Sequence, residues 1–125
     1  MAESERSKYK KKPNSESSVK KILNPLVEKW FYSRFKEFSL PQLYGILEIH
    51  SRNNVLISAP TGATKTLTGF MAILNELVDS SVKEILEDKV YCVYVSPLKA
   101  LNNDIKLNLI EQLEQMEEIH GSKLG

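Results

Sequence analysis

The eight residues Ala59-Pro60-Thr61-Gly62-Ala63-Thr64-Lys65-Thr66 lie between an apolar run, Asn54-Val55-Leu56-Ile57-Ser58, and a stretch with helical periodicity. A strand that passes through a short loop ending in Lys-Thr and opens a helix is the setting of a phosphate-binding loop. Such a loop works because consecutive backbone N–H groups form an anion-binding concavity at a helix N-terminus, where the dipole also favours phosphate. Lys65 is the residue to neutralise β- and γ-phosphate charge, and Thr66 the one to hold magnesium through its hydroxyl. Two positions depart from the general pattern: the first glycine is Ala59, and the glycine before the lysine is Thr64. If Thr64 had to adopt φ > 0, the strain would cost about 1–3 kcal/mol, roughly ten- to hundredfold in nucleotide affinity. Taken alone, the eight residues also suit an ordinary strand-to-helix turn that contains a lysine.

The flanking sequence extends the α/β pattern. Asn24-Pro25 is an N-cap followed by proline at the first helical position, and Leu26, Val27, Trp30, Phe31 and Phe35 recur at helical spacing behind it. Ser39-Leu40-Pro41 opens a second helix that carries Leu43, Ile46, Leu47 and His50 on one side and ends at Arg52-Asn53-Asn54. Val55–Ser58 is expected to be a short buried strand. A helix from about Lys65 places Leu67, Phe70, Met71, Leu74, Leu77 and Val78 inward, and the polar stretch 79–89 is expected to be a loop with one weak turn. Val90-Tyr91-Cys92-Val93-Tyr94-Val95 is too apolar for a half-exposed strand and suits the middle of a parallel sheet. Ser96-Pro97 then starts a long helix whose stripe is Leu98, Leu101, Ile105, Leu109, Leu113 and Met116.

Charge is unevenly distributed. The net charge of the 125 residues is only +1, yet residues 1–21 contain seven Lys/Arg against three Glu, while the rest holds ten basic and thirteen acidic residues. A basic arm can contact nucleic acid. Residues 1–18 are nevertheless so poor in apolar side chains that a solvated, disordered head is the expectation. This leaves residues 19–125 as the folded portion. The single cysteine, Cys92, supports no internal disulfide, fits a reducing cytoplasm and reads as a small core residue. No stretch reaches the apolar length of a membrane span, and the N-terminus lacks the apolar core of a signal peptide.

Three pieces of sequence together resemble superfamily 2 helicases of the DEAD/DEAH-box kind. These proteins write the phosphate loop as A-x-x-G-x-G-K-T, with alanine where Ala59 stands, so only Thr64 departs from it. They also carry an upstream glutamine that reads adenine. Phe38 with Pro41-Gln42, seventeen residues before Ala59, is similar to that element, although by itself Gln42 would read as a surface residue on a helix N-terminus. The run Tyr94-Val95-Ser96-Pro97-Leu98-Lys99-Ala100-Leu101-Asn102-Asn103-Asp104-Ile105 resembles motif Ia of the large-helicase-related (Lhr) group, Y-[IV]-S-P-L-[KR]-A-L-N-N-D-I, over twelve consecutive residues. The resemblance covers roughly residues 22–110.

The resemblance implies a RecA-like P-loop half-domain with parallel strands, preceded by two helices, that belongs to the N-terminal part of the first helicase domain. It implies ATP and Mg2+ as cofactors, with Gln42, Thr61, Gly62, Ala63, Thr64, Lys65 and Thr66 around the nucleotide and Thr66 on the metal. It also implies a nucleic-acid partner, DNA rather than RNA, contacted through Pro97, Leu98, Lys99 and Asn102. Free N–H groups at a helix start, a lysine and an amide side chain suit sequence-independent phosphate contact, although Lys99 without the resemblance would read as solvated. In the family, closure of two RecA-like domains around ATP walks the protein along a strand. The acids of the D-E-x-H motif do that chemistry, and no Asp-Glu-x-His occurs in the 125 residues. Glu111, Glu114, Glu117 and Glu118 instead have the spacing of a solvent-facing helix side. The expectation is therefore ATP binding without turnover in these residues alone, the remaining helicase domains being encoded downstream. The alternative is a non-catalytic remnant or interaction module that kept the half-fold. Half a sheet would leave apolar faces open, so association is expected of the isolated chain.

Overall fold

The computed structural model describes residues 8–59, 62–95, 103 and 106–125. The described part is a helical body built around one long helix. Helix α1 spans Glu16–Ile22. Ser15 caps it by accepting the N–H of Ser18, while Glu16 in the first turn and Lys20 and Lys21 in the last complement its dipole. Helix α2, Pro25–Arg34, has the expected Asn24 cap, whose side chain accepts from the Leu26 N–H at 2.9 Å, and proline in the first turn. Helix α3, Leu40–His50, follows Ser39 and also carries its proline at the start. Helix α4 runs from Gly62 to Val82, and after a π-helical turn at Lys106–Ile110 helix α5 covers Glu111–His120. Gly121 ends α5 in the left-handed region at φ 88°, the usual glycine stop.

The composition of the head misleads about its order. Residues 1–18 were expected to be disordered, but α1 begins at Glu16 and Val19 is fully buried. The arm before it is tied down as well. Asn14 N–H donates to Leu43 O at 3.1 Å, Tyr44 Oη donates to Lys11 O at 3.4 Å, and Lys10 Nζ pairs with Glu48 Oε1 at 2.8 Å. Val19, Ile22 and Leu23 are enough to anchor a short capped helix, whereas a residue count over eighteen positions registers only the charge. Residues 1–7 lie outside the described residues.

The core forms where α3 and α2 pack on α4 and α5 packs on α2. Leu67, Phe70, Met71, Leu74 and Val78 of α4 are buried, as the helical spacing requires, together with Val27, Trp30 and Phe31 of α2, Ile46 of α3 and Met116 of α5. Phe31 stacks on Phe38 at 4.2 Å between ring centroids and on Phe35 at 5.0 Å. Trp30 Nε1 donates to Gln115 Oε1 at 2.8 Å, which ties α2 to α5. Helix α4 continues into the stretch expected to be a loop, because Asp79 and Lys83 sit one turn apart and pair at 2.8 Å. Glu117 is not a solvent-facing acid: its Oε2 accepts the N–H of buried Leu124 at 2.8 Å.

No sheet forms among the described residues. Residues 55–58 and 90–95, expected to be parallel strands, have neither helical nor strand backbone. Leu56 is 97% exposed, Val93 78% and Val95 86%, and Cys92, expected in the core, is exposed too. The reason is physical: a strand acquires its backbone hydrogen bonds from a neighbour, whereas a helix makes its own. No helix among the described residues is long and apolar enough to cross a membrane.

Candidate nucleotide-binding site

Gly62, Ala63 and Thr64 are the first residues of α4, so Lys65 closes its first turn and Thr66 opens the second. Both are half-buried. They line a cavity of about 220 Å³ whose other walls are Gly69, Phe70 and Ile73 of α4 and Cys92 and Tyr94 from segment 90–95. The Phe70 and Tyr94 rings meet at 5.0 Å between centroids and set the depth of that wall. An ammonium and a hydroxyl beside the N-terminus of a 21-residue helix form a donor set that fits a phosphate chain and its magnesium ion. Thr64 belongs to the helix. Helical backbone has negative φ, so the strain expected of a threonine forced to φ > 0 does not arise.

The helix start is held in place by a close approach. A Cβ on Gly45 of α3 would lie 2.8 Å from Ile57 Cδ1 and 2.9 Å from Thr68 Cγ2. The absence of a side chain at 45 lets Ile57, two residues before Ala59, wedge between α3 and α4. A glycine in mid-helix was the available sequence signal for this contact, and periodicity alone passed over it.

Gln42 is 3% exposed, and its Oε1 accepts the Ser39 N–H at 2.8 Å. Its carbonyl end therefore works as a helix cap, and Gln42 lines neither this cavity nor the larger groove next to it. That groove, about 940 Å³, runs between α3 and residues 53–59 up to Ala59; Pro41, Tyr44, Gly45 and Leu56 form its walls, with Tyr9 and Lys10 of the arm at its rim. Sequence reasoning missed the arm's part in it. Thr61, Pro97, Leu98, Lys99 and Asn102 lie outside the described residues. Among the described residues, no cluster of His, Cys, Asp and Glu could hold a metal ion by itself.

Charge around the site is locally paired. Glu48 is held below the usual carboxylate range by its hydrogen bond from Lys10, helped by Asn53. Glu76 on α4 is held down in the same way by Arg52.

The family model for DEAD/DEAH box helicases matches residues 39–125, which contain all of α3 and α4 and the Lys65–Thr66 pair. The chain belongs to the DEAD/DEAH box helicase family. Within that family it is similar to the ATP-dependent helicase Lhr-Core of Methanocaldococcus jannaschii, at 47% identity over 91% of this chain and 14% of that protein. The Lhr-Core helicases of Methanothermobacter thermautotrophicus, 48% identical over 81% of this chain, and Saccharolobus solfataricus, 44% over 88%, are each covered to 12% of their length. The chain thus spans about one seventh or less of these helicases. No solved structure matches.

Proposed function

We propose that this chain forms the nucleotide-binding edge of a RecA-like domain in an ATP-dependent nucleic-acid helicase of the Lhr type. The observation that carries the reading is that Lys65 and Thr66, adjacent near the N-terminal end of α4, line one cavity inside the stretch matched by the helicase family. Lys65 would hold the β- and γ-phosphates, with the N–H groups of Gly62, Ala63 and Thr64 and the loop residue Thr61 around them. Thr66 would hold Mg2+, which supplies charge neutralisation to the phosphates when bound. Gln42, buried here and lining neither cavity, would contact adenine with the amide end that its capping bond does not occupy. Residues 55–58 and 90–95 would be parallel strands of the domain's sheet. Pro97, Leu98, Lys99 and Asn102 would contact a nucleic-acid backbone, DNA rather than RNA. Hydrolysis and movement would involve the regions of a helicase that correspond to the rest of its relatives' length, and the protein would work in the cytoplasm.

A titration with a fluorescent ATP analogue in the presence of Mg2+ tests the site. Saturable binding weakened at least tenfold by Lys65→Ala is expected. Absence of binding in both the native chain and Thr64→Gly would sink the assignment.

A further inference from the structure

The basic run Lys8-Tyr9-Lys10-Lys11-Lys12 takes no part in the α4 cavity and precedes residue 39, where the helicase-family match begins. Lysines packed this closely repel one another unless anions lie nearby. Lys10 has one, Glu48, at 2.8 Å. Lys8, Lys11 and Lys12 are exposed and form no ion pair among the described residues. Glu16, the next acid along the chain, is engaged by the Tyr32 hydroxyl. The run is nevertheless fastened to α3 on both sides of Lys11. Besides the Lys10–Glu48 pair, Lys11 O accepts from Tyr44 Oη at 3.4 Å, and Asn14 N–H donates to Leu43 O at 3.1 Å. Pro13 disfavours helical backbone at Lys12, and residues 8–14 are not helical. Between the lysines, Tyr9 is 94% exposed and makes no hydrogen bond or ring contact among the described residues. An anchored backbone thus presents three ammonium groups without a carboxylate beside one open aromatic ring.

We infer that residues 8–12 bind single-stranded nucleic acid independently of its sequence, with Lys8, Lys11 and Lys12 on phosphates and the Tyr9 ring stacked on an unpaired base. Lysine meets a phosphate as a point charge and reads no base. The aromatic ring selects a single strand, whose bases have free faces for stacking, over a duplex, whose bases are already stacked. Attachment to α3 before binding lowers the ordering cost that a loose basic tail would meet. An anionic membrane suits the run less well, because a segment that is not a helix has no continuous apolar face to lay into the bilayer. The choice of nucleic acid among polyanions rests on the helicase reading. The site itself involves neither ATP nor the contacts assigned to Pro97, Leu98, Lys99 and Asn102.

Fluorescence anisotropy of the 125-residue chain, without nucleotide, against labelled oligo-dT and oligo-rU of about 16 nucleotides tests the site. Saturable binding is expected, weakened at least tenfold by joint substitution Lys8→Ala, Lys11→Ala and Lys12→Ala. The plot of log affinity against log salt should become shallower by about 2, as the loss of three single-strand phosphate contacts requires. Tyr9→Ala should weaken binding about fivefold or more, and Tyr9→Phe, which keeps the ring, should bind like the native chain. Far-UV circular dichroism should not change, because these side chains are exposed. Lys99→Ala separates this site from the helicase contact. Loss confined to Lys99→Ala would overturn the arm site and leave that contact standing, whereas loss confined to the arm substitutions would support the arm and remove Lys99. Three further results would each overturn the inference: no binding of either strand by the native chain, binding of a duplex as tightly with no response to Tyr9→Ala, or arm-dependent binding of phosphatidylserine vesicles alone.

Discussion

Thr64 and Gly45 have opposite sensitivities to whether a side chain is present. The helix that begins at Gly62 includes Thr64, so glycine there would relieve no backbone strain and would cost about 0.3 kcal/mol of helix propensity. Thr64→Gly is accordingly expected to change nucleotide affinity by less than tenfold, far less than Lys65→Ala, in the same titration. At Gly45 the balance differs. Alanine would gain about 1 kcal/mol of helix propensity, but its Cβ would fall within 3 Å of two side chains. Ile57 can move its terminal carbon aside, whereas Thr68 is fully buried and cannot, and overpacking of this kind costs about 1–3 kcal/mol. Gly45→Ala should therefore lower the denaturant midpoint by the equivalent of about 1 kcal/mol. Adding Ile57→Val and Thr68→Ser, which remove the two clashing methyls, should restore most of it. A higher midpoint for Gly45→Ala alone would contradict the packing described.

Among the elements, α1 and α2 are fastened to α4 by a polar clasp. Asn75 of α4 is 2% exposed; its Oδ1 accepts the Asn24 N–H at 2.7 Å and its Nδ2 donates to Ile22 O at 2.9 Å. Asn24 Nδ2 donates in turn to Asp79 at 3.0 Å. Asn75→Ala would leave a backbone donor and an acceptor without partners, and is expected to cost about 2–3 kcal/mol in chemical denaturation. The clasp also predicts a response to acid. Asp79 is held below its ordinary value of 3.8, first by the hydrogen bond from Lys83 and then by that from Asn24. The folded chain therefore binds this proton less readily than the unfolded one. Its contribution is complete above the ordinary aspartate range and is lost as pH falls through the depressed folded value. Asp79→Asn should flatten the loss of stability between neutral pH and pH 3, seen as a smaller fall in melting temperature. These elements differ in how well the sequence announces them. The Asn24-Pro25 and Ser39-Leu40-Pro41 starts and the α4 stripe are legible because caps and 3.6-residue spacing are local. Helix α1 is hidden by its charge, the α4 extension by a polar surface that i,i+4 pairing supports, and the clasp by joining residues fifty apart.

At the scale of the whole molecule, the helical body and the two strand-like segments have separate sources of stability. The body has a closed apolar centre in which Trp30, Phe31, Met71, Leu74 and Met116 are each at most 1% exposed. Ile57 reaches Gly45 and Thr68, and Tyr94 meets the Phe70 ring, but neither joins that centre. The phosphate-loop candidate was readable because Lys65 and Thr66 ride on a self-sufficient helix. Strands were readable as a tendency only, since a strand's hydrogen bonds come from neighbours distant in sequence. Native-state hydrogen exchange of the lone chain should consequently separate into two classes. Amides of α2 and α4 should exchange only with global unfolding, and those of 55–58 and 90–95 at close to unfolded rates. Exposed apolar side chains on such segments also favour association between partly structured molecules. Leu56→Asp with Val93→Asp should then reduce light scattering and raise the soluble yield without lowering the melting temperature, whereas Leu74→Asp, which puts a charge in the closed centre, should abolish cooperative melting. If the two exposed substitutions lowered the melting temperature as Leu74→Asp does, the segments would have to be part of the body, and the separation argued from their exposure would be wrong.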